Sequence, residues 1–244
     1  MSVPPEIVPG LATTGYDACT TASNHSFDRG GAGVDRTLAA LDASGVAHAG
    51  MARNPEEAAR ITTVGAGPAR VALLSFTYGF NGIPYPDGQL WRANIIDEAR
   101  ILADARRARA AGADVVVVAL HWGDEYVHDP NAQQSEMAPR LIASDDIDLL
   151  LGHHAHVVQP LENVGGEWVV YGMGNLVATH STPGAAMRYQ HAAADRPGPD
   201  ARRRASSATP TARAQTCWKG CTKRSSRNRP TATAGRTTPW PHPA

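Results

Sequence analysis

A chain of 244 residues has room for one ordinary domain with a tail. It carries 23 basic and 23 acidic residues, so net charge gives no reason to expect a polyanion partner. That balance hides a division. Residues 1–180 hold 11 Arg, no Lys and 21 acids, whereas residues 181–244 hold 12 basic residues and 2 acids. No run approaches the roughly 18–20 apolar residues of a transmembrane helix. Met1 to Gly10 shows neither the positive start nor the apolar stretch of a signal peptide. The cysteines, Cys19, Cys217 and Cys221, are odd in number and poorly spaced, so neither a disulfide framework nor a closed zinc site is expected.

Apolar runs alternate with helical patterns, which predicts an α/β domain. Gly33 to Ser44 places Val34, Leu38 and Leu41 on one helical face. Val71 to Phe76 is a short apolar run preceded by Gly67-Pro68, read as a strand. Asn94 to Ala111 is an amphipathic helix stopped by Gly112. Val115 to Leu120 is unbroken and β-branched, as suits a strand buried on both faces. Ala132 to Ser144 is a further helix and Ile147 to Leu151 a further buried strand. Val157 to Val164 and Glu167 to Tyr171 flank Gly165-Gly166, the pattern of a hairpin.

After Thr179 the character changes. Residues 192–244 are Arg, Ala, Ser, Thr and Pro with almost no Leu, Ile or Val, too little to bury a core. Two readings stand for 181–244: a disordered basic tail, or a frameshifted reading frame. A basic tail could hold a polyanion by charge alone, but no interleaving of aromatic and basic residues points to a specific nucleic-acid site. Resequencing past codon 180 decides between them.

Of 10 histidines, seven lie between residues 25 and 156. His121 follows the run ending Ala119-Leu120, and His153, His154 and His156 follow the run ending Leu149 to Gly152. Asn24-His25 precedes the Gly-rich stretch from Asp28 to Gly33. Ligand sites in open α/β sheets gather at the carboxyl ends of strands, and neutral imidazole is the commonest metal ligand. The pattern therefore predicts a metal site. The spacing of His154 and His156 would put both on one side of an extended segment. His48, His128, His180, His191 and His242 read as ordinary surface or core residues.

Four motifs, Asn24-His25-Ser26-x-Asp28-x-Gly30, His121-Trp-Gly-Asp-Glu-Tyr126, Gly152-His-His-Ala-His-Val-Val-Gln-Pro160 and Tyr171-Gly-Met-Gly-Asn175, occur in this order. Together, from about Gly15 to Val177, they resemble the CapA family, poly-γ-glutamate capsule synthesis proteins with a calcineurin-like metallophosphatase fold. The resemblance implies a four-layer α/β/β/α sandwich over residues 1–180 and a centre of two divalent ions (Mn, Fe or Zn). It implies Asn24, His121, His154 and His156 as metal ligands, with His153 a competing third imidazole. It also implies His25 with Asp28 as the catalytic pair, and Trp122, Glu125, Gln159 and Asn175 as substrate or pocket residues. The expected partner is the poly-γ-glutamate synthesis machinery.

The family draws its bridging carboxylates from a strand ending in Gly-Asp and from an Asn-Leu-Glu segment, and this sequence carries neither. The expectation is therefore an incomplete sandwich, clipped at both ends, in which strand Val115 to Leu120 lacks neighbours. Three functions follow: a metal-dependent phosphoesterase serving capsule formation or export, a non-catalytic subunit of the capsule machinery, or an inactive fragment. Family members usually face outward on a membrane anchor. None is visible here, so location rests on the resemblance alone.

Overall fold

The computed structural model describes residues 3–86 and 88–175. The basic segment 181–244, with Cys217 and Cys221, lies outside the described residues. Two sheets organise the rest. Strands β3 (Thr62–Ala66), β4 (Ala69–Thr77), β5 (Val115–Trp122), β6 (Leu149–His154), β7 (Leu161–Val164) and β8 (Glu167–Val170) form a six-stranded sheet in the order β3-β4-β5-β6-β8-β7. Strands β1 (Ala18–Thr20) and β2 (Ala47–Ala49) form a separate parallel pair.

The central strands are parallel because helices carry the chain back between them. Helix α4 (Glu98–Ala110) leads from β4 into β5, and α5 (Ala132–Ile142) leads from β5 into β6. Both pack Ile101, Ala105, Ala108, Ala138 and Leu141 on one face of the sheet, against Leu74, Val116, Val118, Leu120 and Leu150. The alternate residues Val71, Leu73, Val115, Val117 and Leu149 face the opposite way, onto Ala49 of β2 and Ala18 of β1. Cys19, the middle residue of β1, points away from them into a third cluster. There it meets Val34 and Leu38 of α2 (Gly30–Ala43) and Val8 of α1 (Ile7–Thr14). The layers thus run α/β/β/α, as the resemblance implied. Unbroken β-branched runs suit strands covered on both faces.

Four sequence expectations need correction. Strand β5 has neighbours on both sides, β4 and β6, so it is not exposed. Helix α4 starts at Glu98 rather than Asn94, because the Asp97 side chain accepts from the Arg100 amide and caps the helix there. Helix α2 starts at Gly30, inside the glycine-rich stretch. Strands β5 and β6 run on into their histidines: His121 pairs with His153, and Trp122 with His154, as ladder partners. The hairpin turns at Gly165-Gly166 as expected, although β7 begins only at Leu161.

Helix α5 opens with a capping box in which Asn131 accepts from the Gln134 amide and the Gln134 side chain accepts from the Asn131 amide. Asn131→Ala is expected to cost about 1 kcal/mol. Urea denaturation checks it, and no change in midpoint would count against the cap.

Candidate functional site

The carboxyl ends of β5 and β6 lie side by side and open into a cavity of about 270 Å³. His121, His153, His154 and His156 line it, with Ser75, Ser23 and Asn175. The imidazoles are close: ring centroids stand 4.9 Å apart for His121 and His154, and 6.2 Å apart for His154 and His156. Burial first, then the neighbouring imidazoles, pushes the His121 pKa down to about 3. Burial also lowers His153 and His154. At neutral pH these groups are uncharged and offer lone pairs, the state a metal ligand needs.

Two of the cavity histidines are held by side-chain hydrogen bonds. His121 Nε2 lies 3.0 Å from Asn24 Oδ1. The Asn24 amide group donates in turn to Asn81 Oδ1, which also accepts from the Tyr78 hydroxyl. An acceptor at that point turns the Asn24 carboxamide so that its oxygen faces His121. His156 Nδ1 lies 2.8 Å from Asn175 Oδ1, and Asn175 only accepts through that atom, so His156 Nδ1 is the donor. His154 has no such tie. Its side chain is 7% exposed, and its Nδ1 is the one buried side-chain polar atom without a hydrogen-bond partner among the described residues.

The histidine segment is not extended, which corrects the expected geometry. His154 and His156 have φ of 91° and 59°, and the left-handed bend, rather than strand alternation, brings both to one cavity. Asn81 (φ 51°) and Tyr126 (φ 62°) complete the non-glycine residues in this conformation among the described residues. All four belong to the site: Asn81 holds Asn24, and Tyr126 stacks on His156 with centroids 5.5 Å apart. Backbone strain gathered at one place in a fold is a mark of a functional site.

The other expected residues divide. Asn24 is 4% exposed and reaches the cavity through His121. His25 lies outside the cavity lining, half-exposed, with Nδ1 2.8 Å from Asp28 Oδ2. Glu125 stands over the bend, its Oε1 4.0 Å from His154 Nδ1 and 3.8 Å from His156 Nε2. Trp122 and Gln159 are not pocket residues. Trp122 is wholly buried and donates through Nε1 to the Tyr171 carbonyl. Gln159 donates to the carbonyls of Val127 and Asp129, and its Oε1 accepts from Gln134. Both are struts behind the site: Gln159 holds the loop carrying Glu125, and Trp122 holds the chain at Tyr171. Sequence reading missed Tyr78 and Asn81. The Asn81-Gly82 pair is a turn signal that marks a left-handed asparagine, though nothing local ties it to Asn24.

The donors fit a divalent metal in kind: neutral imidazoles, a carboxamide oxygen and a buried nitrogen lacking any partner. Among the described residues, no three His, Cys, Asp or Glu side chains are drawn together closely enough to hold an ion as they stand.

Motifs in this order and geometry also mark a known group. A model of the bacterial capsule synthesis protein family, PGA_cap, matches residues 1–180. The chain belongs to that family. The capsule biosynthesis protein CapA of Bacillus anthracis is 27% identical over 180 residues, covering 72% of this chain and 44% of that protein. The PGA biosynthesis protein CapA of Bacillus subtilis is 30% identical over 177 residues, covering 70% and 45%. This PGA_cap chain therefore spans just under half the length of those relatives. Among solved structures, a putative 5′-nucleotidase from Staphylococcus aureus is 20% identical, with a TM-score of 0.49, covering 70% of this chain and 34% of that one.

Proposed function

We propose that this chain serves poly-γ-glutamate capsule synthesis or export through a metal-dependent phosphoesterase site at the ends of β5 and β6. The observation that carries the reading is His154 Nδ1, buried and unpartnered among imidazoles that stay neutral at pH 7. A buried polar atom without a partner is costly, and a cation relieves that cost. His121, His154, His156 and Asn24 Oδ1 would hold the metal, with His153 alongside. Divalent ions in such sites supply Lewis acidity toward a phosphoryl oxygen and make water a better nucleophile at neutral pH.

The protein's own part is to place groups. Asn81 keeps the Asn24 oxygen turned to the cavity, and Asn175 fixes the ring of His156. His25, held through Nδ1 by Asp28, would present Nε2 to the transferring group. The acidic body offers no charge attraction to poly-γ-glutamate, itself an anion.

A second reading, a non-catalytic subunit of the capsule machinery, is favoured by the absence of three converged metal-ligating side chains among the described residues. Metal content of the purified chain followed by hydrolysis of an aryl phosphate with Mn²⁺ separates the two. The expected result is bound metal and a turnover lost in His154→Ala. Metal without turnover supports the subunit, and a folded chain that binds no metal overturns the phosphoesterase.

A further inference from the structure

The hydrogen bonds that reach His121 form a chain with a direction, and that direction decides where the proton of its ring sits. We propose that Asn81 is a positioning residue which, acting through Asn24, holds the His121 proton on Nε2 and leaves Nδ1 as the acceptor offered to the cavity. This rests on the reading of the histidine cavity as the functional site, and on no ion bound there.

Three observations carry it. First, the chain of bonds is continuous. The Tyr78 hydroxyl and the Asn24 amide group both donate to Asn81 Oδ1, each at 3.2 Å, and Asn24 Oδ1 lies 3.0 Å from His121 Nε2. With its amide group spent on Asn81, Asn24 turns an oxygen to His121, and a neutral ring facing an oxygen carries its proton on that nitrogen. The reverse polarity would move the proton to Nδ1, where nothing among the described residues accepts it. An N–H without an acceptor is rarer in folded proteins than an under-used acceptor. Second, Asn81 is placed by its own turn. Asn81 and Gly82 are left-handed, with φ of 51° and 77°, and the Ile83 amide donates to the Phe80 carbonyl at 2.9 Å, the pattern of a type I′ turn. Asparagine takes that backbone readily and brings an acceptor with it. Third, the turn is clamped to the segment that bears Asn24. Phe80 and Phe27 are both buried, and their rings meet edge to face with centroids 4.5 Å apart. On the other flank the Tyr78 amide donates to the His121 carbonyl at 3.0 Å, which ties the end of β4 to β5. Both ends of the relay are thus fixed by contacts outside the relay.

The test is long-range ¹H–¹⁵N NMR of the whole, backbone-assigned chain, metal-free at pH 7, which reads the tautomer of His121. It needs no turnover, so its result is independent of whether the chain hydrolyses phosphoesters. Wild type is expected in the Nε2–H form. Asn81→Gly suits the left-handed backbone and removes the acceptor. The ratio of Nε2–H to Nδ1–H is then expected to fall about fivefold, the worth of one net hydrogen bond, and the Asn24 amide protons to exchange faster with solvent. Asn81→Asp, which can only accept, is expected to keep the wild-type tautomer. A purely structural Asn81 would change stability in both variants and the tautomer in neither. Wild type in the Nδ1–H form overturns the proposal. So does loss of the Nε2–H form in Asn81→Asp. An Asn81→Gly chain that is folded by circular dichroism, with His121 tautomer and Asn24 exchange as in wild type, overturns it as well.

Discussion

Gly152→Ala is expected to destabilise the protein by about 3 kcal/mol or more, at the upper end of overpacking effects. A Cβ built at Gly152 would stand 1.7 Å from the Tyr171 carbonyl oxygen, 2.4 Å from its carbon and 2.7 Å from Trp122 Nε1. The first two are backbone atoms beside β6, so no side chain can swing aside to make room. The same carbonyl accepts from Trp122 Nε1 and from Gln134 Nε2, and moving it disturbs both bonds. The Met173 amide donates to the Gly152 carbonyl, so the shift also disturbs the segment that brings Asn175 to His156. Gly10→Ala is the control, since a Cβ there meets nothing within 4 Å in the middle of a helix. It is expected to be neutral or stabilising by up to about 1 kcal/mol. Urea denaturation of both variants is the measurement. A Gly152→Ala protein within 1 kcal/mol of wild type, on the scale of an ordinary surface change, would mean that β6 and the Tyr171 carbonyl are not so closely apposed.

Acid is expected to unfold the metal-free protein earlier than carboxylate titration would. The His121 pKa is about 3 in the fold against 6.5 ordinarily. Between those values the unfolded chain takes up a proton that the native cavity refuses, so stability rises with pH across that window. The contribution is fully present above pH 6.5 and is lost as pH falls toward 3. From pH 7 to pH 5 this one group accounts for about 2 kcal/mol. His153 and His154, lowered by the same burial, steepen the slope further. Most carboxylates titrate below pH 5, so the upper half of the window reports the histidines. Stability measured by urea midpoint at pH 7, 6 and 5 should fall steadily in wild type, with a shallower fall in His121→Leu. A flat profile in wild type would mean that the cavity imidazoles reach water and protonate normally. Metal should sharpen the acid sensitivity, since protons and metal compete for the same lone pairs.

Much of the frame can be read from the chain itself. Val115 to Leu120 and Ile147 to Leu151, the latter broken only by Asp148, are apolar runs long enough to declare buried strands without any partner in view. The hairpin at Gly165-Gly166 and the helical stripe of Val34, Leu38 and Leu41 are equally local signals. Strands β1 (Ala-Cys-Thr) and β2 (Ala-His-Ala) send no such signal. Three residues carry no period, and their strand state comes from pairing with each other. The antiparallel β3, Thr-Thr-Val-Gly-Ala, is likewise made by its partner β4 across the Gly67-Pro68 turn.

At the site, residue type and order determined which groups are present: Asn24, four histidines, Asn175 and the family they mark. Tertiary structure decided what each one does. Trp122 and Gln159 have the chemistry of pocket residues, and only the packing of β8 and the 123–131 loop shows that both are buried struts. Asn81 lies more than 50 positions from Asn24, so the bond between them exists only once the segment after β1 is laid against the end of β4, while the Tyr78 bond to Asn81 is local. The left-handed bend at His154 and His156 reverses the geometry that alternation predicts, because side-chain direction there follows backbone dihedrals set by contacts from outside the segment. Sequence fixes donors and their spacing along the chain. Convergence of those donors is a long-range property, set by which strands pair and which loops are pinned.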